Sequence, residues 1–91
     1  MSAIVTGGAS GIGSAAADRL RGAGQDVITW DLRGGDIACD ISDPDAVSAA
    51  LEQTVASVGV PDRLVACAGV GASGMLIAQD PADWKRVIDV N

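Results

Sequence analysis

The sequence holds 91 residues, enough for one domain at most by the prior of about 100–200 residues per domain. Hydrophobic residues make up 48% and charged residues 20%, a globular composition that argues against disorder. Six basic residues against twelve acidic ones give a net charge of −6, without the cationic cluster that grips nucleic acid or an anionic membrane, and His, Tyr and Phe are absent, so no imidazole or phenol is at hand to move protons.

The opening segment has neither the basic start nor the apolar length of a signal peptide. The longest unbroken apolar run, residues 64–68, falls far short of the ~20 residues a bilayer span needs. A cytoplasmic protein with no membrane or nucleic-acid partner is expected. Residues 2–6 read as a short strand that stops at glycines. Over 11–24 the apolar residues Ile12, Ala15, Ala16, Leu20 and Ala23 fall on one helical face, and Gly22 and Gly24 supply the exit. Residues 25–31, with Val27, Ile28, Thr29 and Trp30, predict a second strand, and 36–39 a short third one.

A second helix is expected after Ser42-Asp43-Pro44-Asp45, with Ser42 or Asp43 as cap, Pro44 at the first helical position and acids at the positive end of the dipole. Its predicted inner stripe is Val47, Leu51, Val55 and Val58, and Gly59, Val60 and Pro61 close it. Residues 63–69 are apolar at nearly every position, the pattern of a parallel strand buried on both faces. Residues 71–74 read as loop. Asp80-Pro81 opens a third helix carrying Trp84, Val87, Ile88 and Asn91 on one side, which directs Asn91 toward the sheet. The order β-α-β-β-α-β-α without a tight hairpin argues for an α/β fold: a parallel sheet with helices on both faces.

Thr6-Gly7-Gly8-Ala9-Ser10-Gly11-Ile12-Gly13 joins the first strand to the first helix. Such a turn is suited to a phosphate: unpaired backbone N–H groups converge, the helix dipole favours an anion, and missing Cβ atoms let a ligand approach. Gly7 serves the tight turn, Gly11 the approach of a diphosphate, Gly13 close packing of helix on strand, and Ser10 adds a hydroxyl donor. A nucleoside-triphosphate P-loop is excluded because Ser14 stands where Lys is required. Asp31 ends the second strand eighteen residues past Gly13, where a dinucleotide fold places an acid to accept from the adenosine ribose hydroxyls. That carboxylate repels a 2′-phosphate, which favours NAD over NADP. Leu32 offers no cation for such a phosphate, whereas Arg33, two residues on, could swing toward it.

Taken together, these residues resemble the N-terminal part of a short-chain dehydrogenase/reductase, over the whole chain. The Thr-Gly-x-x-x-Gly-x-Gly spacing of Thr6, Gly7, Gly11 and Gly13 is that family's variant of the glycine fingerprint. The resemblance implies a Rossmann-type sheet, partial here, of strand order 3-2-1-4, binding NAD. It places Asp40 and Ile41 at the adenine ring, and Ala66, Ala68 and Gly69 beside the cofactor in Ala66-Cys67-Ala68-Gly69, the counterpart of the family's Asn-Asn-Ala-Gly. Val90-Asn91 is similar to the Val-Asn that ends the family's opening half, which makes Asn91 the asparagine of an Asn-Ser-Tyr-Lys catalytic set. The family's small-molecule substrates are secondary alcohols or carbonyls, and its members are commonly homo-oligomers of about 250 residues.

The departures matter as much. Ala66 and Cys67 replace amides whose loss leaves no buried donor unpaired. The sequence has no Tyr, and its one Lys, Lys85, lies outside any Tyr-x-x-x-Lys pair. Residues 1–91 are therefore expected to be the opening of a single NAD-binding domain, cut before its Ser/Tyr/Lys region and inactive alone. The alternatives are a non-catalytic nucleotide-binding module or relic, and a methyltransferase using S-adenosylmethionine, which fits Gly7, Gly11, Gly13 and Val90-Asn91 poorly. In order 3-2-1-4 Cys39 and Cys67 sit about 14 Å apart, beyond disulfide reach; both are expected to pack, and no metal is expected. The outer edge of the fourth strand lacks a neighbour, so the isolated chain is expected to be marginally stable or to assemble through that edge.

Overall fold

A computed structural model describes residues 1–70 and 80–91; the loop expected over 71–74 lies outside them. The elements run β1 (Ser2–Thr6), α1 (Gly11–Gly22), β2 (Asp26–Asp31), β3 (Ile37–Ala38), α2 (Pro44–Val58), β4 (Arg63–Ala66) and α3 (Pro81–Val90). The strands form one sheet of order β3-β2-β1-β4, and every pairing is parallel. This is the predicted Rossmann-type architecture. Asp43 caps α2 by accepting the amide of Asp45 at 3.0 Å, and Pro44 occupies the first turn.

Alternation along β1 builds two cores, one on each face of the sheet. Ala3 and Val5 meet Ala17 of α1 and Val27, with Leu20 and Val65 packed alongside. Ile4 faces the other way, into a cluster with Trp30, Cys39 and Ala50, flanked by Ile28, Ile37 and Val47. All five residues of β1 are buried, as befits a central parallel strand.

Three expectations about faces need correction. The inner stripe of α2 is Val47, Ala50 and Thr54, while Leu51 and Val55 remain 42% and 40% exposed. The reason is Trp30. Its buried indole N–H donates to Thr54 Oγ1 at 3.0 Å, and that hydroxyl donates to Ala50 O at 2.8 Å, so a small and a polar residue face the sheet where branched ones were expected. In α1, Ile12 is 81% exposed and the contact with the sheet runs through Gly13 and Ala17. Finally, β4 ends at Ala66 and is not buried on both faces: it pairs with β1 alone, and Leu64 is 66% exposed. Among the described residues nothing covers its outer side.

Candidate functional site

The carboxyl ends of β1, β2 and β4 open onto a cleft of about 330 Å³. It lies at the switch point, where the chain leaves β1 for strands on one side and later returns to β4 on the other; open parallel sheets bind ligands at such points.

The floor is the turn from β1 to α1. Gly7 adopts φ +66° and its amide donates to Trp30 O at 2.8 Å. A Cβ there would stand 2.7 Å from Ala68 N, because the chain leaving β4 crosses directly over it. Gly13 is tighter still, with a Cβ position 2.0 Å from Gly7 O. These contacts seat the first turn of α1 on the end of β1. Gly11 differs: at φ +55° its Cβ position meets nothing within 4 Å among the described residues apart from its own chain neighbours and helix backbone, and the residue lines the cleft.

The electrostatics of that turn follow from its caps. Helices α2 and α3 neutralise their positive ends themselves, with Asp43 and Asp80 as caps and Asp45 and Asp83 in the first turn. Helix α1 has no acid in its first turn, and its N-cap Ser10 makes no side-chain cap bond. Its first intrahelical bond is Ser14 N to Ser10 O. Among the described residues, the amides of Gly11, Ile12 and Gly13 therefore have no acceptor. Helices leave their first N–H groups to be satisfied by side chains, water or a ligand, and here all three belong to residues lining the cleft.

Asp31 reaches the same space from the end of β2. Its Oδ2 accepts the Ala9 amide at 3.1 Å and its Oδ1 the Leu32 amide at 2.8 Å, which fixes the carboxylate against the glycine-rich turn. A carboxylate oxygen holds two lone pairs, so each keeps one acceptor position. Farther along, Asp40 Oδ1 accepts both the amide and the hydroxyl of Ser42, at 3.0 and 2.6 Å. These bonds hold the Asp40 carboxyl below its ordinary value, the hydroxyl contributing most, and the charge of Arg86 adds to the effect. Burial, and then the charges of Asp40 and Asp43, push the Cys39 thiol up.

Of the residues expected from the sequence, the structure brings Gly7, Ser10, Gly11, Ile12, Gly13, Asp31, Leu32, Asp40, Ile41, Ala68 and Gly69 to this one cleft. Ala66 does not join them; it lies in β4 opposite Thr6. Asn91 also stays outside the lining and, though exposed, reaches the chain that leaves the sheet. Its Oδ1 accepts Val70 N at 2.8 Å and its Nδ2 donates to Val70 O at 3.0 Å, bracketing the segment that leaves β4. Trp84 and Ile88 on α3 are 51% and 60% exposed, so the apolar side of that helix is unpaired among the described residues. The lining also includes Trp30, Cys39, Cys67, Val70, Arg86 and Val90, which sequence reasoning missed. Arg86 and Val90 share a helical face at i, i+4, but nothing local says that this face turns toward the cleft. Cys39 and Cys67 are both free thiols; Cys39 packs in the Trp30 cluster, and Cys67 Cβ lies 3.2 Å from the Cβ position of Gly13.

A parallel sheet of this order, with a glycine-floored cleft at its switch point, defines a Rossmann-like fold. A family profile described as enoyl-(acyl carrier protein) reductase matches residues 7–91. The 2-dehydro-3-deoxy-L-rhamnonate dehydrogenase (NAD(+)) of Sphingomonas sp. strain SKA58 is 38% identical, over 98% of this chain and 41% of that enzyme. The ligand-free aldohexose dehydrogenase of Thermoplasma acidophilum superposes with a TM-score of 0.90 at 33% identity, over 98% of this chain and 37% of that one. The 3-alpha-hydroxysteroid dehydrogenase of Pseudomonas sp. B-0831, solved with NADH, gives 0.72 at 40% identity, over 81% and 30%. The chain belongs to the short-chain dehydrogenase/reductase family. It spans about two fifths of the length of the curated relatives it matches, which are dehydrogenases and reductases. No described helix is long and apolar enough to cross a membrane.

Proposed function

We propose that residues 1–91 form the adenosine-diphosphate-binding part of an NAD(H)-dependent oxidoreductase acting on a small secondary alcohol or its carbonyl. The observation that carries this reading is the bare N-terminus of α1, whose amides at Gly11, Ile12 and Gly13 belong to residues lining the cleft and have no acceptor among the described residues. An anion placed there meets three donors and the positive end of a dipole. The open Cβ position of Gly11 leaves room for a diphosphate to reach backbone distance, and Ser10 Oγ supplies a further donor. Asp31 accepts from the ribose hydroxyls with its remaining lone pairs and excludes a 2′-phosphate by charge. Asp40 Oδ2 and Ile41 take the adenine edge, and Ala68 and Gly69 border the path beyond the diphosphate. The NAD(+) in one relative's name and the NADH bound in one structural neighbour support the same cofactor.

Bound NAD would supply the hydride acceptor, and NADH the donor, for the substrate carbon. The chain's own residues bind and orient. The sequence contains no Tyr, and Lys85 is paired with Asp89 along α3, so in this reading residues 1–91 bind the dinucleotide without turnover. Asn91 serves by bracketing Val70 at the end of β4. A cytoplasmic protein that self-associates through the exposed edge of β4 completes the picture.

Calorimetric titration of the 91-residue chain with NAD and with NADP tests it. NAD is expected to bind more tightly, and Asp31→Ala to weaken NAD more than NADP. Tighter NADP binding, or equal losses in the variant, would count against the assignment of Asp31.

A further inference from the structure

Asp36 lies outside the cleft, in the short return from β2 to β3. The ladder between these strands begins at Trp30 opposite Ile37. One residue earlier, the amide of Thr29 meets a side chain instead of a strand carbonyl. Asp36 Oδ2 accepts that amide at 2.9 Å, the Thr29 hydroxyl at 3.1 Å and the Arg21 guanidinium at 3.0 Å, while Thr29 Oγ1 accepts the amide of Asp36 at 2.9 Å. Thr29 itself is 5% exposed, so the carboxylate is anchored to the interior of the sheet. The outer ion pair with Arg21, about half exposed on both sides, adds to this anchoring by less than the bonds to Thr29 do.

This latch winds the intervening residues back over Asp31. A Cβ at Gly35 would stand 3.1 Å from both Asp31 N and Thr29 O, and one at Gly34 would stand 3.5 Å from Ala9 Cβ. Ala9 is the residue whose amide holds Asp31 Oδ2. In the wound loop Arg33 is exposed, and it does not line the cleft, whereas Asp31 and Leu32 do.

We propose that the Asp36–Thr29–Arg21 latch sets cofactor specificity: it presents Asp31 to the adenosine ribose and holds Arg33 out of the cleft, so that a 2′-phosphate meets the Asp31 carboxylate without the Arg33 guanidinium beside it. The proposal rests on the dinucleotide reading above. Releasing the loop removes that restraint and lets the Arg33 guanidinium reach a 2′-phosphate, for which a planar, permanently charged donor set is well matched.

The test titrates NAD and NADP into the 91-residue chain and into Asp36→Ala, Asp36→Asn, Arg21→Ala and the double variant Asp36→Ala/Arg33→Ala, with a melting curve for each. Asp36→Ala is expected to narrow the preference for NAD about tenfold or more, mainly through tighter NADP, and adding Arg33→Ala to abolish that gain. Asp36→Asn, which keeps an acceptor for the Thr29 amide, is expected to stay near the wild-type ratio. Should Asp36→Ala fail to fold, Arg21→Ala, which removes the outer bond together with a 3.3 Å bond from the same nitrogen to Val27 O, is expected to shift the ratio in the same direction by a smaller factor. Equal weakening of both dinucleotides in Asp36→Ala, a gain of NADP that survives Arg33→Ala, or an unmoved ratio in Arg21→Ala would each overturn the latch. A wild-type chain that binds neither dinucleotide would instead defeat the dinucleotide reading itself.

Discussion

Replacing Gly13 and Gly11 one at a time by alanine separates what the glycine-rich turn does for the fold from what it does for a ligand. At Gly13 the new methyl would stand 2.0 Å from Gly7 O and 2.7 Å from Gly7 C. Carbon–oxygen contacts settle near 3.3 Å, so the first turn of α1 would have to lift by roughly 1.3 Å. Gly7 cannot retreat: its amide is bonded to Trp30 O at 2.8 Å, and the chain leaving β4 passes directly above it. Overpacking costs about 1–3 kcal/mol where side chains can adjust; against fixed backbone the cost belongs at or above the top of that range. A domain this small holds little stability in reserve, so Gly13→Ala is expected to be largely unfolded. At Gly11 the new methyl meets nothing within 4 Å among the described residues apart from its own chain neighbours and helix backbone, and the penalty reduces to that of a left-handed residue, about 1–2 kcal/mol. That variant is expected to fold, with a lower urea midpoint, and to lose at least tenfold in NAD affinity because the methyl occupies the diphosphate's approach. Urea denaturation followed by tryptophan fluorescence and a calorimetric NAD titration read the two effects separately. A wild-type midpoint in Gly13→Ala, or a folded Gly11→Ala that binds NAD as well as the parent, would refute the reasoning.

Thr54→Val removes the acceptor of the buried Trp30 indole N–H and is expected to cost about 1–3 kcal/mol in denaturant unfolding, with Thr54→Ser restoring most of it; a loss within error would show that the bond contributes nothing. The depressed Asp40 carboxyl adds stability above its unfolded value, near 3.8, and that contribution fades as pH falls through the lower folded value. Ser42→Ala removes its main cause, so the Asp40 carboxyl carbon, followed by NMR, should titrate at a higher pH than in the parent; an unmoved titration would mean that the Ser42 hydroxyl bond is not formed in solution.

Much of the fold is legible in the sequence because its signals are local. The alternation of Ala3, Ile4 and Val5, the caps Asp43 and Asp80 with their prolines, and the spacing of Gly7, Gly11 and Gly13 each depend on a few neighbouring residues. A parallel sheet then delivers the ends of its strands to one side, so naming the residues at those ends comes close to naming the cleft. The failures are all long-range. Which face of α2 turns inward depends on the Trp30 indole and its need for Thr54, twenty-four residues away. Arg86 and Val90 line the cleft on a helix whose end is bonded through Asn91 to Val70, a tie across twenty-one residues. The apolar run of β4 signalled burial, yet exposure follows from which elements lie beside a strand, and among the described residues β4 has a neighbour on one side only. Asp36 looked like the start of a strand, and its carboxylate acquires a meaning only once the loop has folded back over Thr29.

The central claim is that the unpaired amides at the start of α1 receive the diphosphate of NAD. Amide-resolved NMR of the ¹⁵N-labelled chain, titrated with NAD, addresses it most directly. The account predicts that the signals of Gly11, Ile12 and Gly13 move most and saturate together with those of Ala9 and Leu32, whose amides Asp31 holds. If those signals stay in place while NAD binds elsewhere, or while it fails to bind at all, the account is contradicted.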